Sequence, residues 1–250
     1  MKTSGNAVLI TGGATGIGFA LASALLDRGN EVIICGRSEE KLRSAKEKFP
    51  KISTKKCDIS RKQDVDSLFG WVTSSYPDLN VLINNAGIQR SIDLKKGVQE
   101  VMERPDNDEI AINLRSQIYL SAYFVPWFMK MERETAILNV SSGLAFVPLA
   151  RFPIYCATKA ALHSFTMSLR YQLKDTTVKV FEVIPPTVYD TELKGKPLEK
   201  TDWAISSAEV AQAVMSGLEK DEYEIPAGSV ENWLHGSKSD LDQAFNFINR

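Results

Sequence analysis

The chain has 250 residues, of which 44% are hydrophobic and 24% are charged, and its formal net charge at pH 7 is −1. This composition is typical of a folded α/β protein with a large core, and the near-zero charge argues against nucleic acid or an anionic membrane as a partner. No apolar run reaches the roughly 20 residues that a membrane-spanning helix needs.

Three cysteines occur in the chain, at Cys35, Cys57 and Cys156. Their spacing does not match a metal site, and their odd number is typical of a reducing compartment. The first residues lead directly into a strand-like run, without the apolar segment of a signal peptide. We therefore predict a cytoplasmic location, cysteines that pack as small core residues, and no metal ion.

Short apolar runs alternate with longer amphipathic segments along the chain. Most of the runs are dense in valine and isoleucine, as strands buried on both faces should be. Strands are predicted at 7–11, 31–35, 52–57, 80–85, 136–142 and 178–184, with a weaker seventh at 222–226. Helices are predicted at 17–28, 39–49, 61–75, 107–130, 154–174 and 207–220.

This alternation of strands and helices implies right-handed crossovers and a parallel, doubly wound sheet. Two helices begin with the spacing of a capping box, formed by Ser60 with Gln63 and by Ser206 with Glu209. No linker, repeat or low-complexity segment divides the chain. Residues 1–250 are therefore predicted to form one domain.

A glycine-rich segment follows the first predicted strand. The usual dinucleotide fingerprint G-x-G-x-x-G fails here because Leu21 replaces its third glycine. The pattern is instead T-G-x-x-x-G-x-G, formed by Thr11, Gly12, Gly16 and Gly18. Such glycines let the main chain turn tightly and approach a pyrophosphate at the N-terminus of the next helix. We predict a dinucleotide phosphate site.

The end of the second predicted strand is where such a fold recognises the adenosine ribose. An acidic residue there accepts from the 2′-hydroxyl of NAD, whereas an arginine accommodates the 2′-phosphate of NADP. This chain has Gly36 followed by Arg37, and Ser38 and Lys41 could add phosphate contacts, while Thr15 adds no positive charge. We therefore predict a preference for NADP(H), with NAD(H) as the alternative.

Residues 155–159 read YCATK, which places Tyr155 and Lys159 on one face of a predicted helix. A phenol titrates near about 10, and an ammonium roughly 4 Å away can lower that pKa toward neutrality. The pair is thus either a proton-transfer site or ordinary helix packing, because Tyr-x-x-x-Lys is common by chance.

Taken in order, the motifs span nearly the whole chain, which resembles the short-chain dehydrogenase/reductases in the branch of about this length. The resemblance rests on T-G-x-x-x-G-x-G at 11–18, Asp58, NNAG at 84–87, Asn113, Ser142 and Tyr155-x-x-x-Lys159. The segments EVIICGRSE and FPIYCATKAALHSF are similar to an oxidoreductase subgroup encoded near teichoic-acid D-alanylation genes in Gram-positive bacteria.

The resemblance implies a Rossmann-type sheet of about seven strands in the order 3-2-1-4-5-6-7, with helices on both faces. It makes Tyr155 the general acid in carbonyl reduction or the base in alcohol oxidation, with Lys159 lowering its pKa and holding the nicotinamide ribose. Ser142 would orient the carbonyl. Asn113 would relay protons from Lys159 to solvent, or would only form local bonds in its helix.

The resemblance also implies a set of cofactor contacts along the chain. They comprise Gly12, Thr15, Gly16, Ile17 and Gly18 at the phosphates, Arg37 and Ser38 at the adenosine ribose, and Asp58 and Ile59 at the adenine. Asn85, Ala86 and Gly87 would line the cofactor's ribose side, and Tyr155, Lys159, Val188 and Thr191 would lie toward the nicotinamide. The family's Pro-Gly-x-Val-x-Thr reads PPTVYDTEL here, with Pro186 in place of the glycine. Thr191 comes one residue late, so its role is open.

The tail lacks the family's Asp-Gly-Gly ending and reads SDLDQAFNFINR, which predicts a short amphipathic helix. Because this region joins subunits in tetrameric relatives, we predict a homodimer through the helices at 107–130 and 154–174, with a tetramer as the alternative.

Together these features predict an NADP(H)-dependent oxidoreductase acting on a small-molecule carbonyl or alcohol. A non-catalytic dinucleotide-binding sensor is one alternative, and a 3-ketoacyl-thioester reductase is another. The latter would need basic residues near the active site, and the predicted substrate loop, 186–206, carries both signs of charge. The substrate itself is not encoded in any recognisable pattern, since one fold serves many reactions.

Overall fold

The computed structural model describes residues 1–102, 108–193, 199–201, 203–231 and 240–249. Within these ranges, no helix is long and apolar enough to cross a membrane. Parts of three predicted segments lie outside the described residues: 107 in the helix predicted at 107–130, 194–198 and 202 in the substrate loop, and 239 and 250 in the tail.

Seven parallel strands form one sheet within the described residues. They are β1 (Ala7–Thr11), β2 (Glu31–Gly36), β3 (Ser53–Lys56), β4 (Leu79–Asn84), β5 (Thr135–Val140), β6 (Val178–Ile184) and β7 (Glu224–Pro226). Their order is β3-β2-β1-β4-β5-β6-β7, which confirms the predicted fold. Every residue of β1, β4 and β5 is buried, as expected for apolar strands covered on both faces.

Helices cover both faces of this sheet. They are α1 (Gly16–Leu26), α2 (Glu39–Lys48), α3 (Lys62–Ser75), α4 (Gln99–Met102), α5 (Ser116–Phe128), α6 (Pro153–Gln172), α7 (Ser207–Glu219) and α8 (Leu241–Ile248). One core includes Leu21, Leu42 and Val214, from α1, α2 and α7. The core on the opposite face includes Phe124 and Leu169, from α5 and α6, and also receives α3.

The two predicted capping boxes have different outcomes. At α7 the prediction is confirmed, because the Ser206 hydroxyl accepts from the Glu209 N–H and the Glu209 carboxylate accepts from the Ser206 N–H. At α3 the prediction is wrong, since the helix begins at Lys62 and the Ser60 hydroxyl donates to Asp58 Oδ1 at 2.7 Å. A nearby carboxylate draws the serine into the loop after β3 and away from the helix end.

The long helix predicted at 107–130 is interrupted at its start. Residues 109–110 are α-helical, residues Ala111–Arg115 form a π-helical turn, and α-helix resumes at Ser116. Such turns often occur at functional sites because the extra residue redirects side chains. Here the turn contains Asn113, which is fully buried and faces the loop after β4.

Candidate active site

A continuous cleft of about 810 Å³ lies where the strand order reverses between β1 and β4. Parallel sheets bind ligands at such a point because the loops that follow neighbouring strands diverge there. The predicted site residues that line it are Gly12, Thr15, Gly16, Ile17, Arg37, Ser38, Asp58, Ile59, Asn85, Ala86, Gly87, Ser142, Tyr155, Lys159, Val188 and Thr191. Gly18 and Asn113, which were also predicted, are not part of this lining.

The loop between β1 and α1 turns tightly at two glycines. Gly12 and Gly16 have φ angles of 63° and 54°, in the left-handed region that residues with a Cβ rarely adopt. A Cβ on Gly12 would lie 2.9 Å from the Cα of Ala86, and one on Gly16 would lie 3.0 Å from Cγ2 of Thr191. Conformation and space therefore both require glycine at these positions.

The NNAG segment fixes this loop from the β4 side. Asn85 Nδ2 donates to the carbonyl oxygens of Thr11 at 2.9 Å and Gly12 at 3.2 Å. The N–H groups of Asn85 and Ala86 donate to the Thr11 hydroxyl. A Cβ on Gly18 would fall 2.5 Å from Asn85 Nδ2, so Gly18 allows this clamp. Asn85 and Gly18 thus shape the glycine loop.

At the other end of the cleft, Arg37 is exposed just after β2. Among the described residues, no heavy atom lies within 4 Å of a Cβ built on Gly36, so they leave room for a side chain beside Arg37. The Ser38 hydroxyl caps α2 by accepting from the Lys41 N–H at 3.2 Å. The Lys41 ammonium lies 2.5 Å from a Glu192 carboxylate oxygen and is thereby paired with the loop after β6.

Asp58 and Ile59 border the cleft beside β3, where the family's adenine contacts were expected. The Asp58 carboxylate accepts from the N–H and the hydroxyl of Ser60, at 3.0 and 2.7 Å. The Asp58 N–H donates to Asp64 Oδ2 at 2.8 Å. These bonds hold the loop in shape and fix where Asp58 meets the cleft.

Ser142, Tyr155 and Lys159 are buried together at the floor of the cleft. Ser142 follows the end of β5, where its Oγ accepts from the Leu144 N–H at 3.1 Å and takes part in a hydrogen bond with the Tyr155 phenol. Lys159 Nζ donates to the Val140 carbonyl at 2.8 Å and lies 5.6 Å from the centroid of the Tyr155 ring. The site therefore combines a phenol, a hydroxyl and an ammonium.

Burial shifts the pKa values of two of these groups. Loss of water raises the pKa of the Tyr155 phenol well above its usual value, and the hydrogen bond with Ser142 offsets only part of the rise. The same loss lowers the pKa of Lys159 to about 8, while the charge of Glu182 acts in the opposite sense. The prediction that Lys159 brings the Tyr155 pKa toward neutrality is thus wrong for this arrangement, because desolvation disfavours both charged forms.

Cys156 follows Tyr155 and is buried beside the site. Its Sγ accepts from the Leu149 N–H at 3.4 Å, and burial raises the pKa of the thiol. Cys35 and Cys57 are buried as well. The prediction that the cysteines pack as small core residues is confirmed.

Asn113 fixes the loop after β4. Its Oδ1 accepts from the Ile88 N–H and its Nδ2 donates to the Ile88 carbonyl, both at 2.8 Å. A Cβ on Gly87 would lie 3.4 Å from Asn113 Oδ1 and 3.6 Å from Lys159 Nζ, so both side chains border the same glycine at ordinary contact distance. The bonds within its own helix that were predicted as the alternative are not what the structure shows, because the Asn113 side chain bonds Ile88 and Thr158 instead, and the proton relay stays a prediction.

The loop after β6 closes over the phosphate end. Val188 forms an isolated parallel bridge with Ile205. The Thr191 hydroxyl donates to the Val188 carbonyl at 3.2 Å, and the Thr191 methyl faces Gly16. Thr191 therefore borders the cleft beside the glycine loop, and its contact with the cofactor, which the sequence left open, stays a prediction.

The end of the cleft beyond Tyr155 was predicted only in part, because Leu193 and Trp203 belong to the predicted substrate loop, 186–206, whereas Leu144, Leu149 and Phe247 were missed. Its apolar lining includes Leu144, Leu149, Leu193, Trp203 and Phe247. Phe247 belongs to α8. Asn249, the residue after the end of α8, anchors this helix because its side chain accepts from the Ala150 N–H and donates to the Pro148 carbonyl. The amphipathic tail pattern predicted the helix, but no sequence signal placed it against the cleft.

The geometry fits a nicotinamide dinucleotide. Thr15, which precedes α1, makes no side-chain capping bond, so the helix presents its first N–H groups to the cleft. Such a helix end, reached through a glycine turn, binds a pyrophosphate. The cleft extends from there to Arg37 in one direction and to Tyr155 in the other. Both ends of a dinucleotide therefore have candidate partners.

Comparison with known proteins agrees with this geometry. The family model for short chain dehydrogenases matches residues 6–202. In an alignment of 252 residues, the chain is 50% identical to "Uncharacterized oxidoreductase DltE" of Bacillus subtilis (strain 168), with 100% of this chain and 98% of that protein covered.

Several solved structures with the same fold contain a nicotinamide cofactor. A short chain dehydrogenase from Burkholderia cenocepacia J2315, in complex with NADP, matches with a TM-score of 0.83 at 26% identity, covering 99% of each chain. A short chain dehydrogenase/reductase from Burkholderia phymatum, in complex with NAD, also has a TM-score of 0.83, with 100% and 97% covered. At 17% identity, the second likeness concerns the fold alone.

Proposed function

Since the chain belongs to the short chain dehydrogenase family of oxidoreductases, we propose that it transfers a hydride between NADP(H) and a carbonyl or alcohol substrate. The observation that carries the proposal is the burial of Ser142, Tyr155 and Lys159 in the same cleft as Arg37 and the glycine loop. One domain, formed by residues 1–250, would hold both the cofactor and the substrate.

When bound, NADPH would supply the hydride of this reaction. Tyr155 gives a proton to the substrate oxygen, and its raised pKa keeps the phenol protonated at neutral pH. Ser142 hydrogen-bonds the same oxygen and orients the carbonyl. Lys159 holds the nicotinamide ribose with its ammonium, beside Asn113. In alcohol oxidation the same phenol would act, in its ionised form, as the general base.

The substrate end supports a substrate with an apolar body. Leu144, Leu149 and Trp203 line it, and the substrate loop, 186–206, would contribute further contacts. A 3-ketoacyl-thioester reductase would use basic residues there, and the loop lysines Lys194 and Lys196 lie outside the described residues. A panel of ketones, aldehydes and keto-acyl thioesters, each tested for NADPH oxidation, separates these substrate classes.

Cofactor choice is tested at Arg37. We expect Arg37→Ala to weaken NADPH binding by about 2 kcal/mol, because a charge-assisted hydrogen bond to the 2′-phosphate is lost. NADH, which has no such phosphate, should bind almost unchanged. Calorimetry on both cofactors measures the two affinities. Arg43→Ala is the matched control, since Arg43 is an exposed arginine of α2 that pairs with Glu47.

The reverse change tests the same assignment. Because Gly36 has open space around a Cβ, Gly36→Asp combined with Arg37→Ala should let a carboxylate reach the ribose 2′-hydroxyl. The double variant should then prefer NADH over NADPH. A wild-type protein that already prefers NADH would show that the role given to Arg37 is wrong.

We also propose a homodimer through α5 and α6, with a tetramer as the alternative. These helices expose large apolar side chains, among them Tyr119, Met167 and Tyr171, and the last two lie one turn apart on α6.

The double variant Met167→Glu with Tyr171→Glu should therefore be monomeric, because the two charges would be buried in the dimer interface. Light scattering after size exclusion measures the mass. An unchanged mass, or an equal effect of Leu94→Glu elsewhere on the surface, would contradict this interface.

A further inference from the structure

Glu182 is a fully buried carboxylate of β6 that lies against α6. Its Oε2 is 2.8 Å from His163 Nδ1, so the imidazole N–H donates to the carboxylate. Among the described residues, Oε1 has no hydrogen-bond partner. A buried charge that is only half satisfied is costly unless an opposite charge compensates it.

Lys159 is placed to be that opposite charge. Lys159 and His163 lie one turn apart on the same face of α6. Lys159 Nζ donates to the carbonyl of Val140, and Val140 pairs across the sheet with Val183, the residue after Glu182. The buried ammonium and the buried carboxylate therefore both lie between α6 and the strands β5 and β6, close to the Val140–Val183 pair.

Electrostatics agree with this placement. Burial lowers the pKa of Lys159 to about 8, and the Glu182 charge opposes the fall. The hydrogen bond from His163 to Glu182 raises the His163 pKa, with a smaller contribution from Glu224 and an opposing one from Arg170. On the same helix, Tyr155 is influenced by Glu109. Among the charges on the packed elements, Glu182 is thus the one that acts on both Lys159 and His163.

We propose that Glu182, held in place by His163, is the buried counter-charge of Lys159 and keeps that lysine protonated and directed toward the nicotinamide ribose. This is a positioning role, and it rests on the function proposed for Lys159. The side chain of His163 is 22% exposed and can exchange protons with solvent. When His163 is protonated, two cations share the carboxylate, and when it is neutral the carboxylate supports Lys159 alone.

The test is a direct titration of Lys159 by NMR in the full-length, cofactor-free protein carrying ¹³Cε-labelled lysine. The signal absent from Lys159→Arg identifies the residue. Glu182→Gln keeps an acceptor for His163 but removes the charge, so the Lys159 midpoint should fall by roughly one pH unit. The alkaline limb of kcat/KM for reduction should move in the same direction.

Glu224→Gln is the matched control. Glu224 pairs with Glu182 in the β6–β7 register, but its side chain is 45% exposed, so its loss should leave the Lys159 midpoint in place. An unchanged midpoint in Glu182→Gln, or an equal fall in Glu224→Gln, would overturn the proposal.

A second variant covers the case in which Glu182→Gln does not fold. His163→Gln retains an amide donor for the carboxylate but removes the competing cation, so the Lys159 midpoint should stay or rise. A fall in that variant would also overturn the proposal. Because these titrations need neither cofactor nor substrate, they are independent of the proposed reaction, whose failure would appear as unchanged turnover in Lys159→Met.

Discussion

Replacing Tyr155 with phenylalanine is expected to lower kcat for carbonyl reduction by about 100- to 10,000-fold, the range that a general acid contributes. The ring would keep its packing against Phe152 and Cys156, and only the hydroxyl that bonds Ser142 would be lost. The fold and the affinity for NADPH should therefore survive. Stopped-flow measurement of NADPH oxidation in a single turnover separates this chemical loss from any change in binding.

Tyr171→Phe is the matched control for that variant. Tyr171 lies on the same helix but does not line the cleft, so removal of its hydroxyl should leave the single-turnover rate unchanged. A Tyr155→Phe protein with a near-normal rate would mean that the YCATK pair only packs the helix.

Gly16→Val is expected to abolish dinucleotide binding, with a rise in Kd of at least about 100-fold, or roughly 2.7 kcal/mol. The φ angle of 54° is unfavourable for a β-branched residue, and the new Cβ would lie 3.0 Å from the Thr191 methyl. The branched methyl groups would also enter the space where a pyrophosphate meets α1. Calorimetric titration with NADPH gives the affinity, and thermal unfolding shows whether the variant is folded.

Gly29→Ala separates backbone strain from loss of the phosphate site. Gly29 also has a positive φ, 76°, but nothing lies within 4 Å of an added Cβ, and the residue does not line the cleft. This variant should lose some stability and bind NADPH normally. If folded Gly16→Val binds NADPH as tightly as the wild type, the glycine loop is not the phosphate site.

The strands and most helices were predictable because burial on both faces leaves a strong local pattern. The observed bounds of β1 and β6 match the predicted ones. The capping box at Ser206 was also predicted correctly, because it depends only on two residues three positions apart. The box at Ser60 failed because its competitor, Asp58, acts through loop geometry that spacing alone does not encode. Local sequence patterns therefore predicted the strands and most helices, and the predicted cap at Ser60 was wrong because a neighbouring carboxylate offered the serine a better hydrogen bond.

The electrostatics of the site were not predictable in the same way. Placing Tyr155 and Lys159 one turn apart suggested a lowered phenol pKa, but the pKa depends on how deeply each group is buried and on the acceptor that Lys159 finds. The approach of α8 to the cleft and the pairing of His163 with Glu182 join residues far apart in the chain. Such contacts follow from the packing of the whole sheet, and no motif announces them.

The central claim is that this cleft carries out NADPH-dependent carbonyl reduction with Tyr155 as the proton donor. Its most direct test is the oxidation of NADPH, followed by absorbance, against a panel of ketones, aldehydes and keto-acyl thioesters, with wild-type and Tyr155→Phe proteins side by side. We expect at least one carbonyl class to oxidise NADPH with the wild type, and the rate to collapse with Tyr155→Phe. A wild-type protein that binds NADPH but oxidises it with no carbonyl would indicate a dinucleotide-binding sensor and contradict the claim.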